Sequence, residues 1–178
     1  DLEGAANHRG SLLGSIGIGD CNPQKVFEAN IFNQLDNINS KYVFIEAESK
    51  QIGKAVIPDC VFSKMKSGIH IFIEADLDYR AKSLKKDYVL NKNWIEESIK
   101  AIDLLRKYMS NEKINYLEDI LRQGNFEEVA KELMINYYDP MYMHKANEYE
   151  YSGKFKAEIS AVETAKEISN WFENFKTE

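Results

Sequence analysis

Apolar residues alternate between helical and strand spacing along the first half of the chain. Phe27, Ile31 and Leu35 stand four residues apart, which predicts a helix with one buried face. Continuous apolar runs at 42–45 and 69–73 are typical of strands covered on both faces, as in a parallel sheet. The pattern therefore predicts a helix followed by two buried strands.

Further helices complete this alternation. Pro58 opens a predicted helix that runs to Met65, and another is predicted over about 77–87. Helices that alternate with strands favour an α/β unit with right-handed crossovers. Glu46 and Glu74 follow the two predicted strands. Because open α/β sheets bind ligands at the carboxyl ends of their strands, we expect a site there.

After about residue 90 helical spacing takes over. Amphipathic helices are predicted over 94–105, over 112–123, from Asn125 to about Asp139–Pro140, and after a capping box of Ser160 and Glu163. The stretch 149–159 alternates loosely, which indicates a possible edge strand. We therefore expect two domains: an α/β core at 1–90 that lacks its first strand, and a helical extension at 91–178 packed on it.

Composition and charge exclude several classes of protein. The chain has 178 residues, is 44% hydrophobic and carries a net charge of −6. An acidic protein does not bind nucleic acid through bulk positive charge, although a local basic patch stays possible. No apolar run approaches the roughly 20 residues of a membrane span. Cys21 and Cys60 are predicted to be reduced, partly buried thiols in a cytoplasmic protein.

Residues 1–21 are predicted to form a glycine-rich loop, with Asn22 able to cap the helix that follows. Asp1 could hold a metal-bound water or a substrate hydroxyl, and His8 could exchange a proton near neutral pH. Arg9 could clamp an oxyanion because its guanidinium forks onto phosphate. The remaining polar and small candidates for substrate or phosphate contacts here are Asn7, Gly10 and Ser11. The alternative is a structural loop whose polar groups pair with each other.

Two other stretches carry candidate chemistry. Glu46 and Glu48 share a side of an extended backbone and could bind a divalent cation or orient basic residues. Ser49 and Lys50 follow them as candidate substrate or phosphate ligands. The alternative for this segment is a solvated strand end. The helix at 77–87 holds the densest basic cluster, with Tyr79, Arg80, Lys82, Ser83, Lys85 and Lys86. That cluster could meet nucleotide or RNA phosphates, or it could be a solvated face.

The run Gly14–Gly19 is similar to a phosphate cradle. No Lys-Ser or Lys-Thr follows it, so it is not a Walker A loop. It also lacks the preceding strand of a dinucleotide-binding fingerprint. We expect a flexible loop whose backbone amides could hold an anion. Neither a zinc site nor a Ser/His/Asp set is indicated.

Several of these segments together resemble the bacterial tRNA 2-selenouridine synthases. The resemblance rests on 1–11 (Asp-Leu-Glu-Gly-x-Ala-Asn-His-Arg-Gly-Ser), Leu13-Gly14, Ile16-Gly17, Gln24-Lys25-x-Phe27-Glu28, Glu46-x-Glu48-Ser49-Lys50-x-Ile52-Gly53, Pro58, Met65, Arg80 and Asp87-Tyr88. It runs in order over the first half of the chain. Tyr138-Asp139-Pro140-x-Tyr142 is its best match in the second half.

The resemblance implies a fold and a reaction. The fold would be a truncated P-loop NTPase-like parallel sheet flanked by helices, with a helix-rich second half. The family joins a rhodanese-like domain to a P-loop domain and acts on 2-thiouridine at the tRNA wobble position. Geranyl diphosphate geranylates the sulfur, and selenium from selenophosphate then replaces the geranylthio group. Asp1, Glu3, His8 and Arg9 would be catalytic, no cofactor would be required although Mg²⁺ is possible, and the tRNA anticodon stem-loop would be a partner.

Some features depart from the family pattern. The Walker A segment and the rhodanese-like domain are absent, and neither cysteine matches the rhodanese nucleophile. Lys50 stands where we expect an arginine. We therefore expect this chain to start inside a larger protein and to be inactive alone. Two alternatives stay open: a small-molecule P-loop phosphotransferase and a non-catalytic helical interaction module.

Overall fold

The computed structural model describes residues 1–146, 149–158 and 160–175, apart from the side chains of residues 144 and 145. In chain order, the elements are α1 (Leu2–Ala6), α2 (Gln24–Asp36), β1 (Gln51–Ile52), β2 (Ala55–Val56), α3 (Asp59–Lys66), β3 (Ile71–Ala75), α4 (Leu77–Tyr88), α5 (Trp94–Asp103), α6 (Asn111–Arg122), α7 (Phe126–Leu133), α8 (Asp139–Ala146), β4 (Gly153–Ala157) and α9 (Ala161–Phe175). A 3₁₀ turn (Leu104–Lys107) and a π-helical turn (Met134–Tyr138) join neighbouring helices. The predicted α/β class is confirmed: the protein is mostly helical with a small parallel sheet.

The chain forms two compact units whose segments interleave. Unit 1 comprises Asp1–Gly68 and Tyr88–Gly124, and unit 2 comprises Ile69–Asp87 and Asn125–Glu178. The domain boundary expected near residue 90 stays a prediction.

The amino-terminal part of unit 1 packs α1, α2 and the β1–β2 hairpin around one apolar cluster. Its buried members are Leu2, Ala5, Ala6, Phe27, Ile31, Ile52, Ala55 and Ile57. The hairpin turns at Gly53 and Lys54, and of these two only Gly53 has a positive φ, +58°, as in a type II′ turn. This packing fixes the positions of residues 1–10 and of the segment that leads into the hairpin.

The rest of unit 1 is helical. The helix predicted over 94–105 is α5 with its 3₁₀ turn, and the helix predicted over 112–123 is α6. Ser110 caps α6 by accepting from the backbone N–H of Lys113, at 3.3 Å. The buried apolar stripe is Ile102, Leu105, Ile114, Leu117 and Leu121. Burying such a stripe is the main term that stabilises an amphipathic helix.

Unit 2 contains the parallel sheet. β3 and β4 pair in parallel from Ile71 opposite Gly153 to Ala75 opposite Ala157. Phe155 meets Trp171 of α9 edge-on, with ring centroids 5.5 Å apart. The edge strand and the last helix, with its capping Ser160, are therefore confirmed within the described residues.

The strand predicted at Tyr42–Ile45 is wrong. These residues have no regular secondary structure, and their side chains are 37–58% exposed. An apolar run indicates burial only if other elements cover it, and none of the described residues pairs with it as a strand. Glu46 therefore does not follow a strand, and Glu74 lies within β3 rather than after it.

Smaller predictions at the helix ends are also corrected. Pro23, not Asn22, is the N-cap of α2, because the Asn22 amide donates to the Ala5 carbonyl at 3.0 Å. Leu35 is 42% exposed rather than buried. The helix predicted to end near Asp139–Pro140 continues through the π-helical turn into α8. Both cysteines are free, but Cys60 is exposed.

Candidate anion-handling site

The site is built on α1, a five-residue helix inside the segment predicted to be a loop. Asp1 caps it, since its carboxylate accepts from the Gly4 N–H at 2.6 Å. The Glu46 carboxylate accepts from the Leu2 N–H at 3.0 and 3.1 Å. Glu46 thereby holds the segment 46–53 against residues 1–10, so the two predicted site segments lie together.

Glu3 and Glu48 form a carboxyl pair where these segments meet. Their side chains are hydrogen-bonded to each other, which requires one of them to carry a proton. Gly10 leaves room for the pair: it has a φ of +68°, and a Cβ there would lie 2.8 Å from Glu48 Oε2. The close approach and the positive φ both explain a glycine at position 10.

Burial and like charge set the protonation of this pair. Burial, followed by the carboxylates of Glu48 and Glu46, raises the pKa of Glu3 from 4.5 to about 7, against the opposing charge of Arg9. Burial and Glu46 likewise raise the pKa of Glu48. Since the two groups interact, their titrations are coupled.

This pair makes stability depend on pH. A carboxyl with a raised pKa keeps its proton in the folded protein after the unfolded chain has lost it. The free energy of unfolding should therefore fall as pH rises from about 4.5 to about 7. Glu3→Gln should remove most of this pH dependence. At pH 8 the variant should have a free energy of unfolding about 1 kcal/mol higher than the parent, a value that allows for solvent screening at this partly exposed group.

Urea unfolding at pH 5 and pH 8 measures the effect. Glu28→Gln, on the exposed face of α2, is the matched control and should keep the parental slope. An unchanged slope in Glu3→Gln would contradict the shared proton.

His8 is enclosed by two glycines. A Cβ on Gly14 would lie 2.7 Å from His8 Cε1, and one on Gly53 would lie 2.7 Å from Cγ. Burial and the charge of Arg9 lower the pKa of His8, so its imidazole is neutral at pH 7. Among the described residues, none forms a hydrogen bond with its buried Nδ1. A neutral, sterically fixed imidazole is suited to accept a proton.

Arg9 lies beside this group with its guanidinium fixed on two sides. Nη1 donates to the Ile16 carbonyl at 2.7 Å, and Cζ stands 4.5 Å above the centre of the Tyr88 ring. The Tyr88 hydroxyl in turn lies 3.4 Å from Ser11 Oγ. Such a pre-oriented cation can stabilise an anion without reorganising.

Other predicted ligands make structural contacts. The Asn7 amide donates to the carbonyls of Ile18 and Asp20, at 3.0 and 2.9 Å. Ser49 donates to the Gln51 carbonyl at 2.8 Å, and Lys50 forms an ion pair with Asp59. Their roles toward a substrate stay predictions.

Arg80 belongs to unit 2. Its guanidinium binds both carboxylate oxygens of Asp139, at 2.6 and 2.8 Å. That fork raises the pKa of Arg80, which remains charged. In the same unit, Lys85 pairs with Glu127, and Lys131 with Asp78. Two of the four cations in the basic cluster on α4, Arg80 and Lys85, are thus paired with carboxylates. The role of the cluster toward phosphate stays a prediction.

The carboxyl groups do not form a metal centre. Across the part of the chain that the structure describes, no three His, Cys, Asp or Glu side chains are arranged to hold a metal ion. Glu46 already accepts from the Leu2 N–H at the start of α1. The described residues therefore do not fit Mg²⁺ as they stand.

Sequence reasoning missed three contributors to the site. Gly53 was noted only as part of a motif, although it shapes the His8 pocket. Tyr88, beneath Arg9, lies outside the two predicted segments. Glu97 accepts from the Gly17 N–H at 2.8 Å, across 80 positions of sequence. Only the recurrence of Gly53 and Tyr88 in the family pattern could have indicated the first two.

The fold and this cluster define an α/β protein whose amino-terminal segment joins a fixed arginine to titrating carboxyls and a neutral histidine. Comparison with known proteins gives the family. Residues 1–177 match the model of the "tRNA 2-selenouridine synthase AAA domain", and the chain belongs to this family.

Curated relatives agree with this match. A tRNA 2-selenouridine synthase of Shewanella sp. (strain MR-7) is 26% identical over 100% of this chain and 54% of its own length. Proteins of the same name from Shewanella sp. (strain MR-4) and Hydrogenovibrio crunogenus are 27% and 28% identical, over 82% and 88% of this chain and 45% and 50% of theirs. The chain thus spans about half the length of these relatives. No solved structure matches it.

One further finding concerns membranes. Within residues 1–146, 149–158 and 160–175, every helix is too short or too polar to cross a bilayer.

Proposed function

We propose that this chain is the AAA-type domain of a cytoplasmic transferase that converts 2-thiouridine to 2-selenouridine at the tRNA wobble position. The observation that carries the proposal is the family match over residues 1–177. The juxtaposition of segments 1–10 and 46–53 around Arg9 supports it, because diphosphate and selenophosphate are both anions. The whole reaction, its substrates and its partners belong to this proposal.

The chemistry runs in two stages. The sulfur of 2-thiouridine attacks the first carbon of geranyl diphosphate, and diphosphate leaves with the electrons of the broken C–O bond. The selenium of selenophosphate then attacks the base carbon that bears this sulfur, geranylthiol leaves with the electrons of the C–S bond and a proton, and water cleaves the P–Se bond to release phosphate. Arg9 stabilises the negative charge that grows on the departing diphosphate. His8, neutral and enclosed, takes the proton that the modified base releases.

Other parts of the enzyme complete the site. A Walker A segment would supply the main pyrophosphate cradle, and a rhodanese-like domain would act beside it. The anticodon stem-loop of a thiolated tRNA is the macromolecular substrate. Asn7, Ser11, Ser49 and Lys50 are assigned to contacts with the substrate.

A chimaera tests the proposal directly. This chain replaces the matched part of the Shewanella sp. (strain MR-7) relative, and the chimaera is expressed in bacteria that lack their own synthase. Mass spectrometry of digested tRNA should then detect 2-selenouridine, with S-geranyl-2-thiouridine accumulating when selenium is withheld. The relative without the matched part is the negative control.

Two outcomes would overturn the proposal. One is a folded chimaera that produces neither nucleoside while the intact relative produces both. The other is tRNA-independent transfer of the γ-phosphoryl group of ATP to a small molecule, which would favour the phosphotransferase alternative.

A further inference from the structure

Glu97 holds the glycine-rich loop by a backbone amide. The loop was expected to offer its amides to an anion, and the Gly17 N–H in fact donates to Glu97 Oε2 at 2.8 Å. The other carboxylate oxygen accepts from the Asn91 amide at 3.4 Å. Glu97 stands in the first turn of α5, so a helix of ten residues anchors it. The loop amide is therefore occupied by an anion of the protein itself.

The same peptide group also holds Arg9. The Ile16 carbonyl, which accepts from Arg9 Nη1 at 2.7 Å, and the Gly17 N–H belong to one peptide unit. Because a trans peptide is planar, its C=O and N–H point in opposite directions. Glu97 on the N–H side and Arg9 on the C=O side thus fix the orientation of one rigid plane.

The hydrogen bonds of Glu97 and Arg9 to this peptide group reinforce each other electrostatically. The negative carboxylate meets the positive end of the peptide dipole, and the positive guanidinium meets its negative end. Each bond is charge-assisted, and each polarises the peptide in the sense that strengthens the other. Gly17 permits the arrangement, since its φ is +76° and the nearest atom to a Cβ there would be Leu90 Cδ1 at 3.5 Å.

We propose that Glu97 is a positioning residue that sets the Arg9 guanidinium for anion binding through the Ile16–Gly17 peptide. Glu97 touches neither substrate nor reacting atoms in this role. The inference rests on the proposed function, in which Arg9 receives diphosphate. It adds a residue from α5, outside both segments that form the rest of the site.

Diphosphate binding to the chimaera provides the first test, with inorganic diphosphate as the probe in isothermal titration calorimetry. Glu97→Ala should weaken binding about tenfold, a typical cost for losing one charge-assisted hydrogen bond. Glu97→Gln keeps a side-chain oxygen acceptor and should stay within about threefold of the parent. Glu96→Ala is the control, since Glu96 is the exposed neighbour in the same turn of α5.

A double-mutant cycle separates positioning from general loosening of the loop. If Glu97 acts through Arg9, Glu97→Ala should have no further effect on diphosphate affinity in an Arg9→Ala background. An equal loss in both backgrounds would overturn the proposal. So would an unchanged affinity of Glu97→Ala in the presence of Arg9.

A second readout does not depend on diphosphate. In NMR spectra, the Arg9 guanidinium signals should be distinct in the parent and in Glu97→Gln, and averaged by rotation in Glu97→Ala. If the parent binds no diphosphate, the proposed function of Arg9 fails, while these signals still decide whether Glu97 positions it. Identical Arg9 signals in all three proteins would refute the inference.

Discussion

Arg9→Ala should reduce both geranylation and selenation in the chimaera by at least about a hundredfold, the usual cost of removing one pre-oriented group that stabilises a developing anion. The size of the effect follows from how the guanidinium is held. The Ile16 carbonyl and the Tyr88 ring fix it before any substrate arrives. Orienting this charge during the reaction therefore costs the parent protein little free energy.

Arg9→Lys should restore only part of the rate. An ammonium keeps the charge but cannot stack flat on Tyr88 or present the forked donors of a guanidinium. We expect a loss of about tenfold, a fraction of the cost of deleting the group. Rates are measured with geranyl diphosphate and a thiolated anticodon stem-loop.

The control for Arg9 is another arginine of unit 1. Arg122 pairs with Asp119 and Glu118, and Arg122→Ala should leave both rates unchanged. Normal geranylation and selenation in Arg9→Ala would show that the role given to the amino-terminal segment is wrong.

Gly53→Ala should destabilise the protein by about 3 kcal/mol, the largest effect on stability that we expect at the site. Two costs add. An L-residue at a φ of +58° is strained by about 1 kcal/mol. A methyl group 2.7 Å from His8 Cγ must also displace the ring, and overpacking of this kind costs about 1–3 kcal/mol. Urea unfolding of the two proteins measures the difference.

Gly19 and Gly14 separate these two costs. Gly19 has a φ of +85° with nothing within 4 Å of a Cβ, so Gly19→Ala should show the strain alone. Gly14 has no positive φ, but its Cβ would lie 2.7 Å from His8 Cε1, so Gly14→Ala should show the steric cost alone.

His8→Ala combined with Gly53→Ala completes the comparison. Removing the imidazole should restore most of the stability that Gly53→Ala loses through the steric clash, but not the part lost through backbone strain. A Gly53→Ala protein that loses no more stability than Gly19→Ala would contradict the enclosure of His8 by the hairpin turn.

Local patterns gave correct predictions for several helices that carry their own signals. Ser160, predicted to form a capping box with Glu163, caps the last helix by accepting from the Glu163 N–H. The amphipathic stripes of α5 and α6 are buried as expected. These features depend on interactions within a few residues, which the sequence specifies directly.

Patterns that need distant partners were less informative. The apolar run at 42–45 has the composition of a buried strand and yet is exposed. Strand pairing is decided by whichever segments lie alongside, and β3 found its partner in β4, about eighty positions away. A run of apolar residues does not indicate whether such a partner strand is present.

By itself, the sequence determined most of the helices, the two polar segments of the site and, through its motif, the family. Only the tertiary structure decided that burial and neighbouring carboxylates raise the pKa values of Glu3 and Glu48, that Gly14 and Gly53 enclose His8, and that Arg9 is held between Tyr88 and a peptide anchored by Glu97. The physical reason is the separation along the sequence between the residues that interact. Helix capping and amphipathic spacing are local, whereas pKa shifts and side-chain orientation depend on charges and surfaces brought together by folding from remote parts of the chain.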